Sequence, residues 1–185
     1  MEDLIIISGI SGSGKTTLGR EIAKRLGYRY VDIDSFYVKD KPRVTLSDRS
    51  QASNWDCYEA LDLELFKEVM MSNEPIVLTT FLPVDYLLSR PILVHFHLST
   101  GLTSEERAQR CIQARQQSKG FTGEKAKRDE MVVREVVMPF YEKNRLDISS
   151  HNRKQIDVYI NGQRRSINNL VDEMLTAIYI VQLKQ

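Results

Sequence analysis

Cysteine is nearly absent from this 185-residue chain. Its two cysteines, Cys57 and Cys111, have no Cys-x-x-Cys spacing. A disulfide framework or a cysteine metal site is therefore not expected, and both read as neutral thiols of a reducing compartment. No apolar run approaches the roughly 20 residues that cross a bilayer. No basic stretch precedes the short apolar run at the start, so a signal peptide is not expected; a cytoplasmic location without a membrane partner is the default expectation. Charge of one sign is lacking too. The formal net charge of +1 gives no general attraction to nucleic acid. Repeats, low-complexity tracts and linkers are also missing. What remains, with 42% apolar and 28% charged residues, reads as one globular domain over residues 1–185.

Apolar periodicity organises that domain. Leu4 to Ser8 reads as a strand that ends at a glycine-rich turn. Leu18, Ile22 and Leu26 recur every four residues, as on one helix face, with Gly27 as a C-cap. Tyr30 to Ile33 reads as a second strand. Leu61, Leu65, Phe66 and Val69 make a helical stripe, and Met70-Met71 reads as core. Strands follow over 76–80 and 92–98. Thr103 to Glu106 is a capping-box pattern for a helix to about Gln116. A helical stretch over 124–144 should kink at Pro139. A last strand over 156–160 precedes a terminal helix over 167–183. Strands apolar on both faces and separated by helices imply a parallel sheet covered on both sides. Two polar stretches without periodicity, 39–54 and 117–123, read as functional or mobile loops.

The glycine-rich turn carries the strongest signal. Gly9-Ile10-Ser11-Gly12-Ser13-Gly14-Lys15-Thr16 fits a Walker A phosphate-binding loop between a strand and a helix. Glycines let successive backbone N–H groups face an anion. Lys15 brings a positive charge to the outer phosphates of ATP, and the Thr16 hydroxyl can ligate Mg²⁺. The helix beginning there, with Thr17, offers free N–H groups and the positive end of its dipole. The expected nucleotide-binding set is Gly9, Ser11, Gly12, Ser13, Gly14, Lys15, Thr16 and Thr17.

Phosphoryl transfer also needs a group to accept a proton from the acceptor hydroxyl. In an open α/β sheet such groups sit at strand carboxyl ends. Asp32 and Asp34 lie there, and their spacing puts both on one face if the strand continues. Farther along, Trp55 and Asp56 pair an aromatic face with a carboxylate that could hold a diol. His95 and His97 alternate on a strand; a metal pair is conceivable, but structural histidines are the expectation.

Asp34-Ser35-Phe36-Tyr37 and the segment Trp55 to Asp62 resemble motifs of the uridine kinase and nicotinamide riboside kinase family, closer to the latter. The resemblance implies a P-loop NTPase three-layer sandwich with a five-stranded parallel sheet and a helical lid, over about 107–134. It implies an ATP- and Mg²⁺-dependent kinase acting on the primary hydroxyl of a nucleoside-like small molecule, as monomer or homodimer. Asp34 would be the acceptor-side base. Tyr37, Trp55, Asp56, Arg134 and Tyr141 would line the substrate site. Arg110 and Arg115 would close over the triphosphate, and Asn161 would lie near adenine. Thr16 and Asp34 would serve the metal, and Asp32, which the family generally lacks, could join them. One departure stands out. The family has an acidic residue after its third strand, where this chain has Thr79-Thr80. Asp32 could supply the missing charge. A kinase of another hydroxyl metabolite, such as a sugar acid, shikimate or a vitamin, stays open. So do a nucleotide kinase and a nucleotide-binding regulator without transfer activity.

Overall fold

A computed structural model of the chain describes residues 3–84, 87–142, 155–160 and 166–184. Strand β1 (Leu4–Gly9) is buried along its whole length. It leads through the phosphate loop into helix α1 (Lys15–Leu26). Strand β2 (Arg29–Asp32) follows, then a short hairpin of β3 (Arg43–Thr45) and β4 (Gln51–Ser53). Helix α2 (Leu63–Met70) and strand β5 (Ile76–Thr80) come next. Strand β6 (Val94–Thr100) feeds helices α3 (Ser104–Lys119) and α4 (Gly123–Val132). Strand β7 (Gln155–Ile160) and helix α5 (Ile167–Gln182) complete the order.

The main sheet runs β2-β5-β1-β6-β7, with every pairing parallel. Side chains alternate across a strand, so β1 divides its apolar residues between two cores. Leu4 and Ile6 pack with Val31, Leu78 and Phe66, and with Ala108 and Ile112 of α3. Ile5 and Ile7 pack with Leu18 and Ile22 of α1 and Val171, Met174 and Ile178 of α5. The sheet is thus covered on both faces, as continuous apolar strands require. Phe66 is fully buried, edge-on to Phe36 with ring centroids 5.3 Å apart.

Local signals set several boundaries. Gly27 caps α1 at φ 69°. Thr103 and Glu106 form the expected capping box of α3, Thr103 Oγ1 accepting from the Glu106 N–H at 3.2 Å and Glu106 Oε2 from the Thr103 N–H at 2.7 Å. The Asp62 side chain caps α2 by accepting from the Leu65 N–H at 3.0 Å. Beyond α4 the helix passes through a π-helical segment, Val133–Val137, and continues over 138–142. The expected disturbance at Pro139 is therefore taken up just before it. Proline has no N–H for the carbonyl four residues back, at Glu135, and a wider turn absorbs the mismatch.

Three expectations change. The 39–54 stretch holds the β3–β4 hairpin, whose three-residue strands are too short to show a period of two. Met70 is core, but Met71 is 67% exposed, because α2 ends between them. Strand β2 does not continue through Asp34; a 3₁₀ turn, Ile33–Phe36, begins after Asp32. Among the described residues no helix is long and apolar enough to cross a membrane.

Helix α1 lies very close to the sheet at Gly19, where a Cβ would stand 2.4 Å from Thr79 Cγ2 and 3.1 Å from Tyr30 Cε2. Gly19→Ala should destabilise the fold by about 1–3 kcal/mol, the usual cost of overpacking, despite alanine's better helix propensity. Urea unfolding of the two proteins checks this.

Candidate functional site

The phosphate loop takes its shape from two left-handed glycines, Gly12 at φ 78° and Gly14 at φ 89°. Gly14 is the residue before α1, so the first turn of that helix opens directly onto the loop. The Ser13 N–H donates back to the Ile10 carbonyl at 3.1 Å, tightening the turn. Gly9 allows a close approach, since a Cβ there would stand 2.7 Å from Ser13 Oγ. Ser13 Oγ is buried without a hydrogen-bond partner, and Lys15 is half-buried. Such a loop suits an anion: backbone donors, a helix N-terminus and a lysine share one small space.

The carboxylate of Asp32 stands beside this loop. Tyr30 donates its hydroxyl to Asp32 Oδ2 at 2.7 Å, and Thr16 Oγ1 approaches the same oxygen at 3.5 Å. The Tyr30 hydroxyl also meets Thr79 Oγ1 at 2.9 Å. Burial, foremost, and the neighbouring carboxylate push the Tyr30 pKa up to about 12, so it stays a donor. The sheet register pairs Asp32 with Thr79. The tip of β5 is therefore uncharged, as its sequence says, but a carboxylate reaches it from the next strand. Thr16 and Asp32 offer two oxygen ligands of the kind a hard cation takes, with phosphate and water oxygens completing the set. Among the described residues there is no group of three or more His, Cys, Asp or Glu able to hold a metal alone.

Asp34 points elsewhere. Its N–H caps onto Asp32 Oδ1 at 3.3 Å, and the 3₁₀ turn carries its side chain off the β2 face. The shared face expected from the spacing of two is absent because the strand ends. Tyr37 donates its hydroxyl to Asp34 Oδ1 at 3.2 Å. Solvent reaches the Asp34 side chain, yet protein surrounds it on most sides. That desolvation, and then the charge of Asp32, raise its pKa above the ordinary aspartate value, against Lys15, the Tyr37 hydrogen bond and Arg115.

A wall of aromatic rings extends from there. Tyr37 meets Trp55 edge-on at 4.8 Å and stacks near Phe81 at 6.5 Å. Phe81 meets Tyr141 at 6.4 Å, and the buried Tyr141 hydroxyl donates to Asp56 Oδ1 at 3.1 Å. Asp56 is only 7% exposed, and desolvation raises its pKa, with Tyr141 and Arg115 opposing. The tertiary structure thus gathers Asp34, Tyr37, Trp55, Asp56 and Tyr141, which the sequence spreads over more than a hundred positions.

The arginines separate by their partners. Arg115 holds Asp129, with Nε 3.0 and 3.1 Å from the two carboxylate oxygens and a terminal nitrogen at 2.6 Å. Its charge also acts on Asp34, Asp56 and Tyr37. Arg110 is exposed, and its Cβ lies 3.8 Å from where a Cβ on Gly12 would be, beside the phosphate loop. Arg134 is held by carboxylates of two helices. Its guanidinium bridges Glu105 at 2.6 and 3.0 Å and Glu130 at 2.9 Å, tying α3 to α4, and it is not part of the Asp34 cluster. Asn161 lies outside the described residues. His95 and His97 are structural, as expected: the buried Ser8 hydroxyl contacts both, at 2.7 and 2.9 Å.

Sequence reading passed over two anchors. Tyr30 was visible in principle, because it alternates with Asp32 on one strand face. Asp129 was not, because nothing local marks it as the partner of Arg115. A third contact, Ser11 Oγ to Cys111 Sγ at 3.1 Å, joins the phosphate loop to α3.

The family described as shikimate kinase matches residues 11–175. The chain belongs to the shikimate kinase family. A shikimate kinase 2 of Dickeya chrysanthemi is 36% identical over 73 residues, which are 40% of this chain and 42% of that protein. A shikimate kinase 2 of Yersinia pestis is 38% identical over 56 residues, 30% of this chain and 32% of that protein. The matched segment thus spans less than half the length of these curated relatives. Two solved structures share the fold with a TM-score of 0.56. One is a gluconokinase from Sinorhizobium meliloti, 16% identical, covering 97% of this chain and 93% of that one. The other is a shikimate kinase from Bacteroides thetaiotaomicron, 17% identical, covering 95% and 98%. The family match overturns the resemblance to uridine and nicotinamide riboside kinases. That resemblance rested on a phosphate loop, an acidic strand tip and short aromatic segments, which P-loop kinases with different acceptors can share.

Asp56 gives a test of the site's electrostatics. Its pKa is higher in the folded chain, so the native state binds the proton more tightly. Stability from this group is full below the ordinary aspartate pKa of about 3.9 and is lost as pH rises through the folded value. Asp56→Asn keeps an oxygen to accept from Tyr141 and removes the buried charge. It should raise Tm at neutral pH, with the gain vanishing near pH 4; a lower Tm at neutral pH contradicts the assignment.

Proposed function

We propose that the chain is an ATP-dependent kinase that phosphorylates an alcohol group of a small polar metabolite. The observation that carries this reading is the Asp34 carboxylate, which accepts from Tyr37 of the aromatic wall and feels the charge of Lys15 from the phosphate loop. Family membership supports it. So does the shared fold with a gluconokinase and a shikimate kinase, whose names denote hydroxylated acids as acceptors.

In this reading Gly9, Ser11, Gly12, Ser13, Gly14, Lys15, Thr16 and Thr17 hold the phosphates of ATP. Asp34 accepts the proton as the acceptor oxygen bonds to the γ-phosphorus, and the bond to the β-phosphate oxygen breaks to release ADP. Lys15 offsets charge gathering on the transferred group. Thr16 and Asp32 would hold Mg²⁺, which supplies neutralisation of the β- and γ-oxygens. Helices α3 and α4 act as a lid that brings Arg110 to the phosphates. Arg115, fixed by Asp129, steadies the acceptor end. Tyr37, Trp55, Phe81 and Tyr141 exclude water from one side of the acceptor, and Asp56 accepts from one of its hydroxyls.

ATP consumption and product mass across shikimate, gluconate, other hydroxy acids, sugars, sugar phosphates and nucleosides test this directly. A hydroxylated acid, a sugar or a sugar phosphate should gain a phosphate, and uridine and nicotinamide riboside should not. Lys15→Ala and Asp34→Asn should each lower kcat by roughly a hundredfold or more, the scale of losing one charge-stabilising or proton-accepting group. ATP binding without any product would remove the kinase reading.

The two arginine environments predict opposite outcomes. Arg115→Gln should lower kcat/KM by about a hundredfold or more, because it acts on Asp34 and Asp56. Arg134→Gln should leave kcat/KM within about twofold, since exposed ion pairs contribute little. Steady-state kinetics of both variants on the identified acceptor decide it.

A further inference from the structure

A cavity of about 290 Å³ opens between the β3–β4 hairpin and the junction of α3 with α4. Arg43, Lys119, Lys125 and Arg128 face it, together with Trp55. Its one carboxylate, Asp129, is already held by Arg115. Arg43, Lys119 and Lys125 have no ion pair with a described carboxylate, and Arg128 donates to the Gln51 carbonyl. Lys125 and Arg128 are three apart on α4 and therefore share a face. Arg43 comes from the opposite side, on the hairpin. Like charges gathered from three elements repel one another, and an anion between them would offset that repulsion.

The cavity adjoins the proposed transfer site. Trp55 lines it and packs on Tyr37, which bonds Asp34. Lys41 sits 4.0 Å and Lys119 5.8 Å from the Trp55 ring centroid. The hairpin wall is fastened: Ser47 donates through N–H and Oγ to Glu135 at 2.8 and 2.7 Å. Burial, then the charge of Arg115, lower the Lys119 pKa, with Asp129 opposing.

We propose that this cavity binds a phosphate monoester group carried by the acceptor, with Arg43, Lys119, Lys125 and Arg128 as its ligands. The acceptor is then a phosphorylated polyol or sugar, its free hydroxyl at Asp34 and its existing phosphate beyond Trp55. A carboxylate offers one negative charge and two acceptor oxygens; a phosphate monoester offers nearly two charges and three. Four cations from three elements match the second. The assignment of this group to an acceptor rests on the kinase reading above, whereas the anion site itself does not.

Calorimetric titration of the full chain saturated with MgADP, which occupies the phosphate loop, tests it. Ribose 5-phosphate is the probe, with ribonate and ribose as controls. Ribose 5-phosphate should bind and change the emission of Trp55, the sole tryptophan. Ribonate should bind at least tenfold more weakly, and ribose not measurably. Arg43→Gln combined with Lys125→Gln, both at exposed positions, should weaken ribose 5-phosphate at least tenfold and leave the heat of MgADP binding unchanged. Equal affinity for ribonate, full affinity in the double variant, or no heat from ribose 5-phosphate each overturns the proposal. Absence of heat from MgADP is a separate result, against the kinase reading; the same titration on Lys15→Ala protein without nucleotide then reads the cavity alone.

Discussion

The candidate site depends on how closely helix α1 can approach the sheet. At Gly19 the helix backbone lies against Thr79 and Tyr30, with no room for a side chain. That contact sets the height of the first turn of α1 above β2 and β5. It brings Thr16 to the side of Asp32 and points the helix N-terminus into the loop. Tyr30, pressed beneath Gly19, uses its hydroxyl to fix Asp32 and to reach Thr79. One missing Cβ thus governs both the phosphate cradle and the carboxylate beside it.

A second layer of the site is electrostatic. Asp32, Asp34 and Asp56 converge on one cleft, and desolvation raises the pKa of the latter two. Such an arrangement opposes folding, and it persists because Lys15 and Arg115 share the cleft. Arg115 can be held there because Asp129 binds it by three contacts from the next helix. The cationic cavity under the hairpin has the opposite imbalance. Negative and positive excesses sit on either side of Trp55, which suits an acceptor with a hydroxyl at one end and an anion at the other.

Legibility followed the range of the interactions. The phosphate loop was readable because its glycines, lysine and threonine are consecutive and act through local backbone shape. The capping box of α3 and the Gly27 cap were readable for the same reason. The division of arginines was not. Arg134 meets Glu105 across 29 positions and Arg115 meets Asp129 across 14, and an arginine's role is set by what it faces. The family was misread because the motifs used were short and describe a reaction geometry rather than an acceptor.

The sequence alone determined the alternation of buried strands and helices, the anion-binding turn and the acidic residues at and just after the end of β2, since each follows from neighbouring side chains and backbone preference. Only the tertiary structure decided that Asp32 stands beside Thr79 of β5, that Asp34 turns away toward Tyr37, and that a hairpin of three-residue strands closes a basic cavity against α4. Those outcomes depend on parallel register and helix-on-sheet distance, which are fixed when distant segments pack and are written in no single stretch of the chain.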